Sequence, residues 1–173
     1  MRASILIGLA ITLVACEVPR APPVDPPPAP TRGPAPLELG HGDEVGAFVP
    51  YEGGADVTLV EGAQGGFHVW LRYRYGGDDA DRVHARLERT AHRLADDALV
   101  LRTSAEVTVA RDSMALPMFM CPSPVGLSVI DQPIVFSLDF TDDDGAPVAR
   151  GDVTLVPRCP EASREFCLRI CTG

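Results

Sequence analysis

Residues 67–75, with the sequence FHVWLRYRY, decide the fold. Alternate residues of this stretch are apolar and belong to one face: Phe67, Val69, Leu71, Tyr73 and Tyr75. The intervening residues belong to the other face: His68, Trp70, Arg72 and Arg74. A period of two over nine residues predicts a β-strand with its apolar face in a core and its polar face toward solvent. We therefore expect His68, Trp70, Arg72 and Arg74 to form an outward surface.

The chain on both sides of this stretch alternates in the same way. DVTLVEG (56–62) and AEVTVAR (105–111) alternate and contain several β-branched residues. Residues 133–157 contain two alternating segments joined through Asp144 and Gly145, a dipeptide typical of tight hairpin turns. Seven or eight short strands separated by turn residues predict an all-β fold, an antiparallel β-sandwich over residues 37–173.

Residues 82–95 fit two patterns. Val83, Leu87, Ala91 and Leu94 have helical spacing, whereas Val83, Ala85 and Leu87 also alternate. We favour a strand that pairs with residues 67–75 through the turn GGDDAD (76–81).

The N-terminus has the layout of an export signal. Arg2 precedes an apolar run, Ala3–Ala15, which is shorter than the roughly 20 residues of a membrane-spanning helix. The run ends in Leu13-Val14-Ala15-Cys16, which matches the lipobox of bacterial lipoproteins. The match implies that residues 1–15 are a signal peptide and that Cys16 carries the lipid that anchors the protein to a membrane.

Residues 16–36 comprise this cysteine and a proline-rich linker that follows it. Between Pro19 and Pro36 the proline density disfavours helix and sheet, because proline lacks the amide hydrogen. Such a chain favours an extended spacer, and a PxxP ligand for a partner is the alternative. Glu17 stands where aspartate would retain a lipoprotein at the inner membrane. We therefore expect a cell-envelope protein at the outer rather than the inner membrane.

Composition limits the partners. With 46% hydrophobic and 23% charged residues, the chain is typical of a globular domain. Its net charge of -9 argues against binding to nucleic acid and against electrostatic docking to anionic lipid. The acyl chains on Cys16 would then hold the membrane.

Four cysteines remain after Cys16, namely Cys121, Cys159, Cys167 and Cys171. In an oxidising compartment an even number predicts two disulfides, for which three connectivities exist. The last three cysteines are clustered, so the bridges should pin the C-terminal tail to the sandwich near Cys121. Their spacing lacks the paired C-x-x-C of zinc sites, and we assign no metal or cofactor site.

Three segments resemble a group of uncharacterised bacterial lipoproteins with an immunoglobulin-like domain. They are GAQGGFHVWLRYR (62–74), TDDDGAPVA (141–149) and CPEASREFCLRICTG (159–173). The resemblance covers residues 37–173 and implies an immunoglobulin-like β-sandwich in the cell envelope. It implies no particular activity.

A non-catalytic function fits these observations best. The chain has no G-x-S-x-G, H-E-x-x-H or phosphate-binding glycine loop. An outward Trp70 flanked by arginines is typical of binding surfaces and of cation–π stacking. We predict binding of another envelope protein or a cell-wall component around Trp70, and a structural role is a further hypothesis. The paired glycines of Gln64-Gly65-Gly66 predict a turn or bulge that sets the register of the strand.

Copper binding is the alternative hypothesis. Met114, Met118, Met120 and Cys121 are soft donors that suit Cu(I). Methionine also fills gaps in hydrophobic cores, and this interpretation is favoured here. If residues 83–91 pair with 67–75, His84 or His92 would lie beside His68, but a third metal ligand is missing.

Overall fold

The computed structural model describes residues 33–43 and 45–173. The predicted signal peptide, Cys16 and the linker as far as residue 32 lie outside the described residues. The described part has ten strands, a short 3₁₀ turn at Glu161–Ser163 and one helix. The strands are β1 (Ala35–Gly42), β2 (Phe48–Pro50), β3 (Ala55–Thr58), β4 (Val60–Glu61), β5 (Phe67–Tyr75), β6 (His84–Arg93), β7 (Ala98–Thr108), β8 (Leu116–Cys121), β9 (Ile134–Thr141) and β10 (Pro147–Arg158), and the helix is α1 (Arg164–Cys171). The all-β prediction is confirmed.

The strands form a curled, sandwich-like sheet. Hydrogen bonds connect them in the order β4-β5-β1-β10-β9-β6-β7, with β2 beside β1, β3 beside β10 and β8 beside β5. The curl brings β5 and β9 face to face, since the rings of Tyr73 and Phe140 meet edge to face with centroids 5.1 Å apart. The apolar side chains of β5 are buried between these layers, as the alternation predicts.

Strand β1 joins the two layers. Its first two residues, Ala35 and Pro36, pair with β10, and Leu37–Gly40 pair with β5. The pairing with β10 is parallel, as is that of β3 with β10, so the sheet is mixed rather than wholly antiparallel. Pro36 was expected in the linker but lies inside β1. The missing amide hydrogen does not prevent this, because its carbonyl accepts a hydrogen bond from the Gly76 amide at 3.0 Å.

Strand β6 confirms that residues 84–93 are extended, but the predicted hairpin with β5 is wrong. β6 pairs with β7 and β9. The chain after β5 passes instead to the opposite layer through Asp81, whose φ is +65° and whose amide bonds to the Val109 carbonyl. His84 and His92 therefore do not lie on a strand next to His68.

The hairpin of β9 and β10 is confirmed, with Ile134 opposite Leu155 and Thr141 opposite Pro147. Its turn differs in detail from the expected Asp144-Gly145 pair, since only Gly145 of the two has a positive φ, +80°. The carboxylate of Asp142 also stabilises the turn, because it accepts hydrogen bonds from the amides of Asp144 and Ala146. An aspartate that bonds its own backbone in this way is a common turn former.

Two disulfides hold the C-terminal segment, as predicted. Cys121 in β8 bonds to Cys171, and Cys159 bonds to Cys167. Helix α1 was not predicted, although Cys167 and Cys171 are four residues apart and so lie on one helical face, which is buried. Among the described residues no helix is both long and apolar enough to span a membrane.

Candidate binding face on strand β5

The outward side of β5 and its neighbours forms a surface that we call the Trp70 face, made of His68, Trp70, Arg72, Tyr51 and Phe119. Trp70 is 37% exposed and Phe119, on the adjacent strand β8, is 54% exposed. Both belong to the large apolar side chains that solvent reaches. Arg72 is half-buried and Arg74 is exposed.

His68 is the exception to the predicted surface. It points outward, as the alternation requires, but only 5% of it is exposed. The Trp70 ring meets its imidazole edge to face at 4.6 Å between centroids, and the Phe119 ring lies 5.7 Å away. Gly62 also lies against the imidazole, so closely that a Cβ atom at this position would be 3.4 Å from the His68 Nδ1. The expectation of an exposed His68 is therefore wrong, because Trp70 of the same strand, Gly62 just after β4 and Phe119 of β8 cover its ring.

The buried imidazole has no hydrogen-bond partner among the described residues, at either Nδ1 or Nε2. Burial lowers the pKa of His68, because the charged form loses hydration. The ring is therefore neutral at neutral pH and has one donor and one acceptor nitrogen. It lines a pocket of about 430 Å³ together with Trp70, Phe119, Pro117 and Pro122.

Lowering the pH should decrease the free energy of unfolding, because His68 is buried in its neutral form. Because its pKa is lower in the folded than in the unfolded chain, its contribution to stability is present above the ordinary value of 6.5 and is lost as the pH falls. We expect the wild type to lose up to about 1.4 kcal/mol more than His68→Leu between pH 7.5 and 5.5. Urea unfolding at both pH values measures this, with the exposed His84→Leu as the control. An equal pH dependence in wild type and His68→Leu would contradict the assignment.

A second groove lies on the other side of Trp70. It has a volume of about 620 Å³ and is lined by His41, Tyr51, Val60, Trp70 and Arg72, among others. The Tyr51 hydroxyl donates to the Trp70 carbonyl at 3.2 Å. Burial raises the pKa of Tyr51 to about 12, so this hydroxyl remains a donor across the physiological pH range. The tyrosine thereby fixes the backbone that carries Trp70.

The two arginines of β5 are held by the domain itself. Arg72 Nε donates to the Ser113 carbonyl at 2.8 Å, and its Nη1 donates to the Gly46 carbonyl. Arg74 pairs with Asp112 at 2.8 Å and lies over the Phe48 ring, 4.5 Å from its centroid. The predicted cation–π contact therefore occurs, but on Phe48 rather than on Trp70. Arg72 is the arginine that the Trp70 face presents.

The Gln64-Gly65-Gly66 segment is a turn followed by a bulge, as predicted. The Gly62 amide bonds to the Gly66 carbonyl at 2.7 Å, and Gly65 has a φ of +78°. The pairing of β5 with β8 shifts register between Phe67 and His68. This shift sets which side chains of β8 accompany His68 on the outward side.

Gly66→Ala should destabilise the domain by about 1 to 3 kcal/mol. A Cβ at this position would stand 2.7 Å from the Cys121 carbonyl oxygen, which is backbone and cannot rotate away. Gly53→Ala is the matched control, since a Cβ there has no atom within 4 Å. Chemical denaturation of both variants measures the difference. Equal stability of the two would show that the turn tolerates a side chain.

The sulfur atoms of the copper hypothesis are divided between the core, the surface and a disulfide. Met118 and Met120 are buried in the core, on the face of β8 opposite to Phe119. Met114 is exposed, and Cys121 is bonded to Cys171. In residues 33–43 and 45–173, no three His, Cys, Asp or Glu side chains are grouped to hold a metal ion.

Three residues of the site were missed from the sequence, namely His41, Tyr51 and Phe119. Phe119 had a usable signal, because it lies between Met118 and Met120 and must point the opposite way in a strand. The rings of His41 and Tyr51 lie 4.9 Å apart, but no local pattern connects either of them to β5.

No family model matches the chain, and neither the curated proteins nor the solved structures show a significant match to it.

Proposed function

We propose that this protein is a lipid-anchored envelope protein whose β-sandwich binds a partner through the Trp70 face without catalysing a reaction. The observation that carries the proposal is the pair of exposed rings, Trp70 and Phe119, that both pack against the buried His68. Exposed aromatic side chains next to an arginine are typical of the residues that dominate binding energy. Arg72 supplies the positive charge in a chain whose net charge is -9.

The anchor rests on the sequence. The lipobox places the acyl chains on Cys16, and Glu17 favours the outer over the inner membrane. The partner would then be another envelope protein or a cell-wall component, and the resemblance to uncharacterised bacterial lipoproteins is consistent with that location. The linker would separate the Trp70 face from the membrane by an extended chain that rises about 3.1 Å per residue.

The anchor is tested by the intact mass of the protein extracted with detergent from its native membrane, without reduction and after alkylation of free thiols. The expected species begins at an acylated Cys16 and carries no alkyl group on the other four cysteines. A species that keeps its first fifteen residues would overturn the anchored form of the proposal.

The binding surface is tested by photo-crosslinking in cells. A benzophenone amino acid at position 119 should capture a discrete partner, and the same amino acid at position 99 should not. Leu99 is a suitable control because it is similarly exposed, at 48%, but lies on β7. The capture from position 119 should fall at least about tenfold in the Trp70→Ala background, which corresponds to a loss of about 1.4 kcal/mol. Equal capture from both positions, or no effect of Trp70→Ala, would contradict the proposal.

A further inference from the structure

The pocket over His68 combines an apolar wall with one polar centre. Trp70, Phe119, Pro117 and Pro122 supply rings on the wall, and the imidazole of His68 is the buried polar group. Neither nitrogen of that imidazole has a partner among the described residues. A buried polar group without a partner is uncommon in folded proteins and costs free energy unless water or a ligand satisfies it.

The lining restricts the ligand. A volume of about 430 Å³ lies within the range of pockets that take small organic groups. A saccharide carries several hydroxyl groups, and the one buried imidazole in this lining can hydrogen-bond at most two of them. A metal ion would need further ligands, and the described residues offer no such group around His68. What fits is an apolar ring with a single hydrogen-bonding atom.

We propose that this pocket binds a phenol group, with the ring between Trp70 and Phe119 and the hydroxyl on the His68 imidazole. A hydroxyl is the complementary group, because it can donate to one ring nitrogen or accept from the other. A carboxylate fits less well, since a neutral imidazole offers it a single donor and the chain has a net charge of -9. This inference rests on the proposed function of the Trp70 face and specifies what enters it.

A phenol group has two sources, a free small molecule and the tyrosine side chain of a partner protein. Both sources present the same ring and hydroxyl. Three probes are therefore used to distinguish them. p-Cresol represents the free phenol, N-acetyltyrosinamide represents a tyrosine in a chain, and toluene is the matched ring without a hydroxyl.

The test uses the full-length protein in detergent micelles and follows the ¹⁵N resonances of its imidazoles during titration with each probe. p-Cresol should shift the His68 resonances and bind at least about tenfold more tightly than toluene, the difference typical of one hydrogen bond to a buried group. Binding of N-acetyltyrosinamide at a similar affinity would assign the site to a partner's tyrosine. Binding of p-cresol alone would assign it to a free small molecule.

Two variants complete the test. In His68→Phe the preference for p-cresol over toluene should disappear, whereas in His84→Phe, which changes an exposed histidine of β6, it should remain. Unchanged His68 resonances in the wild type would overturn the proposal and leave an ordered water as the partner of the imidazole, and this readout does not depend on any variant folding. Equal affinity for p-cresol and toluene would also overturn it. If crosslinking from position 119 persists in either case, only the ligand class is wrong and the binding face stands.

Discussion

Replacing Cys121 and Cys171 together by alanine should lower the free energy of unfolding by about 4 kcal/mol. The two cysteines are 50 residues apart in sequence, and a crosslink that closes a long loop removes more conformational freedom from the unfolded chain than a short one. The loss is large against the roughly 5 to 15 kcal/mol by which a domain is normally stable. Guanidinium unfolding of the oxidised protein and of C121A/C171A measures it.

The second disulfide provides the comparison. Cys159 and Cys167 are 8 residues apart, so the same reasoning gives about 2.5 kcal/mol for C159A/C167A. The order of the two double variants is the test, because both remove two sulfur atoms from the same end of the domain. A larger loss in C159A/C167A would mean that local packing of α1, and not loop closure, decides the contribution of these bridges.

Phe67→Ala should cost about 3 to 5 kcal/mol, the usual cost of deleting a fully buried aromatic ring. Phe67 begins β5, is completely buried, and lies 5.8 Å between centroids from Phe166 of α1. The substitution therefore opens a cavity where β5 meets the helix. Thermal or chemical unfolding gives the value directly.

Phe119→Ala is the matched control for this substitution. The two phenylalanines lie on paired strands but on opposite faces of the sheet, and Phe119 is 54% exposed. We expect a loss below about 1 kcal/mol, typical of a surface substitution. If both alanine variants were equally destabilised, the assignment of one face to the core and the other to solvent would fail.

Sequence alternation predicted the strands well where one face is buried. In β5 the predicted core face, Phe67, Val69, Leu71, Tyr73 and Tyr75, is buried, and Trp70 and Arg74 are exposed. The hairpin of β9 and β10 followed from its Gly145 turn. Both predictions depend on local chemistry, that is, on the period of the side chains and on the conformational freedom of one glycine.

Strand pairing could not be predicted from the same pattern. Residues 84–93 alternate as a strand should, yet alternation contains no information about the neighbouring strand. A short polar turn between two strands favours a hairpin, but the chain through Asp81 crosses to the other layer. The disulfide connectivity was open for the same reason, since it depends on where β8 and α1 meet.

The candidate site was predicted in part. Trp70 was expected at its centre and is exposed, whereas the burial of His68 was not foreseen. That burial comes from Gly62, which precedes β5, and from Phe119, which lies 51 residues after His68 in sequence. The sequence of residues 67–75 alone does not reveal these two contacts. Because of them, a histidine expected at the surface is buried and lines a pocket.

Strand β1 has a mechanical consequence. If the chain ahead of Gly33 is tethered, any pull on the domain reaches β1 first, and β1 is bonded to β10 at its start and to β5 thereafter. A pull along the strand would have to shear both sets of bonds at once, whereas a pull across it would first open the two residue pairs with β10. The domain should therefore resist force best along the axis of β1, and the direction of the load would decide how long the fold survives it.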